Sequence, residues 1–534
     1  MANKSHLMGN IIALLCSALV GLSTSLPYYL LNENAPGSMV FSGMSTNIPD
    51  EASYLMWSRQ HADGEFLTTN RMTTDPHARI LPNPAWLAVG LVARVTGSDV
   101  LVSYHVARTF FSFLYLFVLW LLLLRIMPTR NAARFAWTVI ALGGGLGWLT
   151  LTGLDIPSAD WITELWSWPS MLHYPHFALS LLLLVTFLLL WVDNLEKPGR
   201  LRPILAGLTL SLLALVHPYT AGTLIGAIMV HFAFIVWNTA RANRDSPHIF
   251  ALSMRQTPGL STMLGFALPG LAIVVLQTLV NPILADWATQ NQMPSPPPWQ
   301  YLFGLGIVGV LAVIRVARAV PARAPALPAI ESFFAVWFVV AMLLAYADPL
   351  VPFARRCVEG IHIGLVCLAT TMIFTSTRRT KAILVAAVLV TTMPAPFYHL
   401  NREVRADNPG YVVPDHHQMI DAVRTYVKEG SVLGDARTSL FVAAQTDASV
   451  FVGHHEVSPD FLKKARLLHE FMNRPTTWRE RRDMLSFTRC QWMLANPRMI
   501  YDLLDNRDGS TLSQVGLREY ARGDSWVLIG PVSD

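Results

Sequence analysis

Long apolar runs, recurring from the start of the chain to residue 398, constrain this sequence more than any other feature. A helix that crosses a bilayer needs about 20 mostly apolar residues, because lipid offers no partner for exposed backbone groups. The first run extends from Ile11 to Leu31, behind a short tail with Lys4, and reads as a retained anchor, with Ser23-Thr24-Ser25 leaving cleavage open. Further runs lie near 103–126, 134–154, 173–192, 202–216, 219–238, 259–280, 300–319, 328–346, 359–376 and 381–398. The length rule thus predicts about eleven spans. Composition agrees: 53% of the 534 residues are hydrophobic and only 14% are charged, against about 25% charged in an ordinary soluble domain. A soluble enzyme and a disordered chain are both excluded. The net charge of +5 is scattered over loops, which fits membrane topology and not nucleic-acid binding. The 4 cysteines show neither a disulfide framework nor zinc-site spacing.

Basic residues select one orientation. Arg125, Arg130 and Arg134 follow the second run; Lys197, Arg200 and Arg202, then Arg241, Arg244 and Arg255, then Arg315, Arg318 and Arg323, then Arg378, Arg379 and Lys381 fill alternate loops. The positive-inside rule places all of these inside. The segment Pro84–Val95 is short and is interrupted by Arg94. Counting it as a span would invert every later loop, so it reads as an interfacial helix. The loop 32–102, the loop 155–172 and everything after His399 then lie on the outer face.

The tail changes character. It is charged and patterned like a soluble α/β domain, with helices expected over Asp415–Glu429 and Pro459–Asn473 and strands over Ser431–Asp435, Ser449–Gly453 and Trp526–Gly530. The expected architecture is an α-helical polytopic membrane protein with a small C-terminal soluble α/β domain. The boundaries are a transmembrane module over 1–398, which includes the loop 32–102, and a soluble extracytoplasmic domain over 399–534.

Polar chemistry gathers toward the outer face. A coupled transporter would place charges and broken helices near the midplane, and no Walker A loop is present. The sharpest feature is NIPDEASYLMW at 47–57. Pro49 interrupts the chain, Asp50 reads as a helix cap and Glu51 as a first-turn residue. Ala52, Leu55 and Met56 form an apolar face, which predicts an interfacial amphipathic helix. Two readings stand for the acidic pair. Asp50 and Glu51 complement the helix N-terminus, or they accept a proton from a hydroxyl or hold a divalent metal. His173 and His176 open a span and can bind a phosphate, a metal or a sugar hydroxyl, or serve as interfacial histidines. Trp161, Trp166 and Trp168 can stack a sugar or belong to an aromatic belt. His217-Pro218-Tyr219 reads as a structural turn. His454, His455 and Glu456 lack the spacing of a helical zinc site and read as an acceptor contact or a surface loop.

The acidic pair followed by Ala52 and Tyr54, just after the first span, resembles the signature of the GT-C superfamily of membrane glycosyltransferases. That superfamily includes the lipid A aminoarabinose transferases and the protein O-mannosyltransferases. The stretch LPNPAWLAVGLV at 81–92, with Gly97 and Arg108 beyond it, is similar to their second interfacial helix. FARRCVEGIHIG at 353–364 resembles the entry to a late span in bacterial members. Leu81-Pro-Asn-Pro departs from the Lys-Pro-Pro of many members.

The resemblance implies an inverting transferase at the outer face of the cytoplasmic membrane. It would move a hexosyl or pentosyl group from a polyprenyl-phosphate carrier to a lipid, glycan or protein acceptor. It implies Asp50 as base, with Glu51 as helper, and optionally Mg or Mn held by both. Arg355, Arg356 and His362 would hold the donor phosphate, since a guanidinium fork matches phosphate oxygens; snorkelling or pairing with Asp348 is the bland alternative. Tyr54, His173, His176, Trp168, His454 and His455 are the substrate-binding candidates. A lipid or solute transporter and a non-catalytic envelope scaffold are the competing functions.

Overall fold

A computed structural model describes residues 2–45, 47–244, 246–290, 293–319, 328–348, 350–428 and 430–532. Arg323 and Glu429 lie outside the described residues. Among the described residues, eight helices are long and apolar enough to cross a membrane, and Pro84–Thr96, Leu201–Val216 and Ala329–Ala345 are shorter apolar helices. The chain divides into two compact units.

The first unit comprises Met1–Pro27, His105–Leu276 and Gln292–Arg402, and carries most of the apolar helices. The run expected to span over 134–154 does not do so as one helix. The helix Arg130–Leu142 ends at Gly143, and a 3-10 turn, Gly147–Thr152, follows. Consecutive glycines favour that break, because they lose the most chain entropy in a helix. A close approach also requires one: a Cβ on Gly145 would stand 2.3 Å from the Gly304 carbonyl oxygen. Arg108, fully buried, donates to the carbonyls of Thr24 and Met171 at 3.2 and 3.0 Å and to the hydroxyls of Thr24 and Ser25. It closes the end of the first helix, whose last-turn carbonyls have no helical partner.

The second unit comprises Tyr28–Tyr104, Gln277–Asn291 and Glu403–Asp534. The tail and the segment after the first helix therefore fold together. Strands β1 (Val40–Phe41) and β2 (Tyr411–Val412) pair antiparallel. β3 (Ser431–Leu433), β4 (Ser449–Val450), β5 (Trp492–Ala495), β6 (Leu517–Arg522) and β7 (Val527–Pro531) form a sheet in the order β4-β3-β5-β7-β6. β3 runs parallel to β4 and β5, and β7 is antiparallel to β5 and β6. Leu433, Phe451, Phe471, Trp478, Met493 and Ile529 build the core on one face. The expected helices appear as His416–Tyr426 and Phe461–Met472.

Two helices of the former loop matter most. Ile48–Ala62 packs against Pro84–Thr96 and also against Ala436–Gln445 of the tail. Its buried positions include Glu51, Ala52, Tyr54, Met56, Ser58, Gln60 and His61, so they run almost all round it. This corrects the amphipathic expectation: Gln60, polar in type, is buried and exchanges hydrogen bonds with the Thr69 backbone at 2.7 and 3.0 Å. Tail residues cover the side that the local sequence left polar. Pro84–Thr96 is a helix, as expected, capped by Asn83 and ended by Gly97 at φ 67°. Its 13 residues rise about 20 Å, less than a bilayer core.

Candidate functional site

The first turn of Ile48–Ala62 carries the acidic pair, and the two carboxylates point to different partners. Asn47, not Asp50, holds the N-cap position, which corrects the capping assignment. Pro49 fits the start of a helix because its missing N–H would have no partner there. Asp50 lies one residue further in, with its side chain 13% exposed. Its Oδ2 accepts the Asn47 side-chain N–H at 2.8 Å, and its Oδ1 stands 2.9 Å from Nε2 of His454. Glu51 is buried; its carboxylate accepts the Ser45 backbone N–H at 2.8 Å and the Tyr28 hydroxyl at 3.4 Å.

His454, for which the sequence offers an acceptor contact or a surface loop, does not lie on the surface. It is 1% exposed. Its Nδ1 accepts the Glu456 backbone N–H at 2.9 Å, so the neutral ring carries its proton on Nε2 and donates it to Asp50. His455, half exposed, stacks on His454 at 4.7 Å and lies 3.6 Å from Glu456. Glu456 raises the His455 imidazole above its ordinary value.

The Glu51 carboxylate faces Ser45 and Tyr28, while that of Asp50 faces Asn47 and His454. Among the described residues, His454, His455 and Glu456 are the group with donor atoms close enough for an ion, within 4.8 Å of one another. A metal on Nε2 of His454 would need the proton on Nδ1, facing the Glu456 N–H.

Tyr54 is buried and stacks on Trp86 at 4.3 Å, and Trp86 lies parallel to Tyr104 at 6.4 Å. It fastens the two helices to each other. Gly90 lets them close up, since a Cβ there would stand 2.5 Å from the Ser58 carbonyl oxygen.

In the first unit, Arg355 and Arg356 lie in a short 3-10 helix, Ala354–Val358. Arg356 pairs with buried Glu164 at 3.5 Å and covers the Phe353 ring. The sequence offers Asp348 as an ion partner for these arginines; Glu164 is the partner of Arg356. The Arg355 guanidinium lies 4.8 Å from the centre of the Trp161 ring, which is 39% exposed. His362 is fully buried and bonds Ser167 at 2.7 Å, and Ser167 bonds Tyr115 at 2.7 Å. That places it in the helix core. Trp166 and Trp168 are also buried: Trp166 donates to the Gly304 carbonyl and Trp168 stacks on His399 at 6.0 Å. His173 ends the helix Ser167–His173 and is half-buried. His176 is buried beside Phe177 and lies 6.2 Å from His217. His217 itself joins a buried network with Glu359 at 2.9 Å, Thr220 at 2.6 Å and, through Glu359, Ser180.

No family model matches the chain, and no curated protein matches it. Solved structures do. The archaeal oligosaccharyltransferase AglB from Archaeoglobus fulgidus, in complex with an inhibitory peptide and a dolichol-phosphate, matches over 97% of this chain and 74% of its own. The TM-score is 0.53 and the identity 12%. ArnT from Cupriavidus metallidurans in the apo state matches over 99% of this chain and 98% of its own, with TM-score 0.53 and 13% identity. The arabinofuranosyltransferase AftD from Mycobacteria matches over 98% of this chain and 41% of its own, with TM-score 0.55 and 12% identity. Helix arrangement is thus shared along essentially the whole chain while the side chains have diverged. The chain shares the fold of these structures, the GT-C fold that the sequence resemblance implies.

Proposed function

We propose that this protein is an inverting glycosyltransferase that takes a sugar from a polyprenyl-phosphate carrier and passes it to a hydroxyl-bearing lipid, glycan or protein at the outer face of the cytoplasmic membrane. One observation carries the reading: Asp50 lies in the first turn of a buried helix with both carboxylate oxygens held by side-chain N–H groups. An oriented carboxylate is suited to take the acceptor proton as the oxygen attacks the anomeric carbon. The C1–O–phosphate bond breaks as the new bond forms, the lipid phosphate leaves, and a single displacement inverts the centre. Glu51 supports the base by fixing the helix start.

Arg355 presents a cation over the exposed Trp161 ring, a pairing suited to a leaving phosphate and the adjoining sugar. His173 and His455 remain substrate-contact candidates. The dolichol-phosphate of the AglB complex supports a carrier of this chemical class.

The test is Asp50→Asn in the purified protein, assayed by release of undecaprenyl phosphate from a panel of undecaprenyl-phosphate-linked hexoses and pentoses. The expected result is a rate loss of about 10²–10⁴-fold, the range for removal of a general base, with carrier binding retained. Wild-type turnover by the variant would overturn the reading.

A further inference from the structure

The segment that follows β4 is held more firmly than a surface loop requires. The Gly453 N–H donates to the Ser458 hydroxyl at 3.0 Å, and that hydroxyl donates to the Met72 carbonyl at 2.7 Å. The Ser458 N–H returns to the His454 carbonyl at 2.9 Å. Asn70 donates to the Val457 carbonyl at 2.9 Å, and the Val450 N–H donates to the Arg71 carbonyl at 2.8 Å. Residues 70–72 and 453–458 are therefore stitched together, and the stitching includes the backbone of His454.

That ring has no lone pair to offer a substrate. Nδ1 accepts the Glu456 backbone N–H, and the proton on Nε2 is directed at Asp50. It cannot act as a second base, and it does not serve as an ion ligand without giving up the Glu456 bond. What it supplies is a neutral donor on Oδ1, set against the Asn47 donor on Oδ2. A carboxylate held from both oxygens is fixed in its plane and keeps its accepting direction.

We infer that His454, from the C-terminal tail, is the positioning residue for Asp50, so that the tail completes the catalytic carboxylate. The inference rests on the proposed role of Asp50. It accords with the second unit, in which the tail and the segment after the first helix fold together: the base is built on one and oriented by the other. His455 stacks outside His454 and pairs with Glu456, which holds in place the residue whose N–H fixes the tautomer.

The test uses the full-length protein and compares His454→Ala with His454→Gln, whose amide keeps an N–H donor at similar reach. Release of undecaprenyl phosphate from the panel sugar that the wild type turns over is followed, with kcat and KM separated. For His454→Ala we expect kcat to fall about 10²-fold, the scale on which misplacement of a reacting group acts, with KM little changed. His454→Gln should restore most of the loss, and His454→Ala should add nothing in an Asp50→Asn background. Nitrogen-15 spectra of histidine-labelled protein, assigned with His454→Gln, should show the Nε2-protonated neutral ring. A normal kcat in His454→Ala while Asp50→Asn is inactive overturns this inference alone. A normal kcat in Asp50→Asn overturns the function instead. A lowered melting temperature with normal kcat, or an Nδ1-protonated ring, reduces His454 to a packing residue.

Discussion

The buried Glu51 carboxylate accepts the backbone N–H of Ser45 at 2.8 Å. The Ser45 hydroxyl in turn donates to Glu403 at 2.8 Å, so one serine joins the start of the acidic helix to the start of the tail. Glu51→Ala would leave that N–H buried without its partner, a cost of about 1–3 kcal/mol. Glu51→Gln keeps an acceptor oxygen and should cost less. Thermal unfolding in detergent checks the order; equal melting temperatures for the alanine variant and the wild type would contradict the structural role.

Gly90 gives a second stability prediction. A Cβ there would lie 2.4 Å from Cβ of His61 and 2.5 Å from the Ser58 carbonyl oxygen. Backbone cannot yield as a flexible side chain does, so Gly90→Ala should lower stability by about 1–3 kcal/mol, the usual cost of overpacking. It should also lower transfer, because Pro84–Thr96 supports the helix that carries Asp50. An unchanged melting temperature would show that the two helices separate freely.

The neighbouring arginines should respond differently. Arg356 and Glu164 are 11% and 6% exposed. Removing one partner of a buried pair costs about 3–5 kcal/mol, so Arg356→Gln should destabilise the protein. Arg355→Gln should leave stability nearly intact and weaken binding of undecaprenyl phosphate by about 1.5–3 kcal/mol, the worth of one charge-assisted hydrogen bond. Calorimetric titration with the carrier and a melting curve, run on both variants, separate these effects. Unaltered carrier binding in Arg355→Gln would remove it from the donor site.

Asp160 carries a pH signature. It is buried and accepts the Gly147 N–H at 2.7 Å, and burial pushes its carboxyl from 3.8 up to about 7. A folded-state value above the unfolded one favours the protonated folded form. Its stabilisation is complete below the unfolded 3.8 and is lost as pH rises through about 7. The melting temperature of the wild type should therefore fall across that window, and Asp160→Asn should flatten the fall. Parallel curves for the two proteins would assign the slope to other groups.

The sequence by itself determined the solvent in which this protein folds. Apolar length decides a membrane helix because the requirement is local: each run must satisfy its own backbone in lipid. Capping and turn chemistry are local too, which is why Pro84–Thr96 and the tail helices were legible from Asn83, Gly97 and simple periodicity. The resemblance around Asp50 pointed to the right fold for a related reason, since that helix start is contiguous in the chain.

Only the tertiary structure decided what surrounds Asp50. His454 reaches it across 404 positions, and no periodicity records a contact between segments that distant. The same holds for the central strand Trp492–Ala495, whose all-buried pattern has no alternation to announce it. It holds as well for the burial of Ile48–Ala62, where Gln60 and His61 look polar in sequence and are covered by partners from elsewhere. Burial depends on what the rest of the chain brings to a surface, and that is settled by packing and not by the residues of the helix itself.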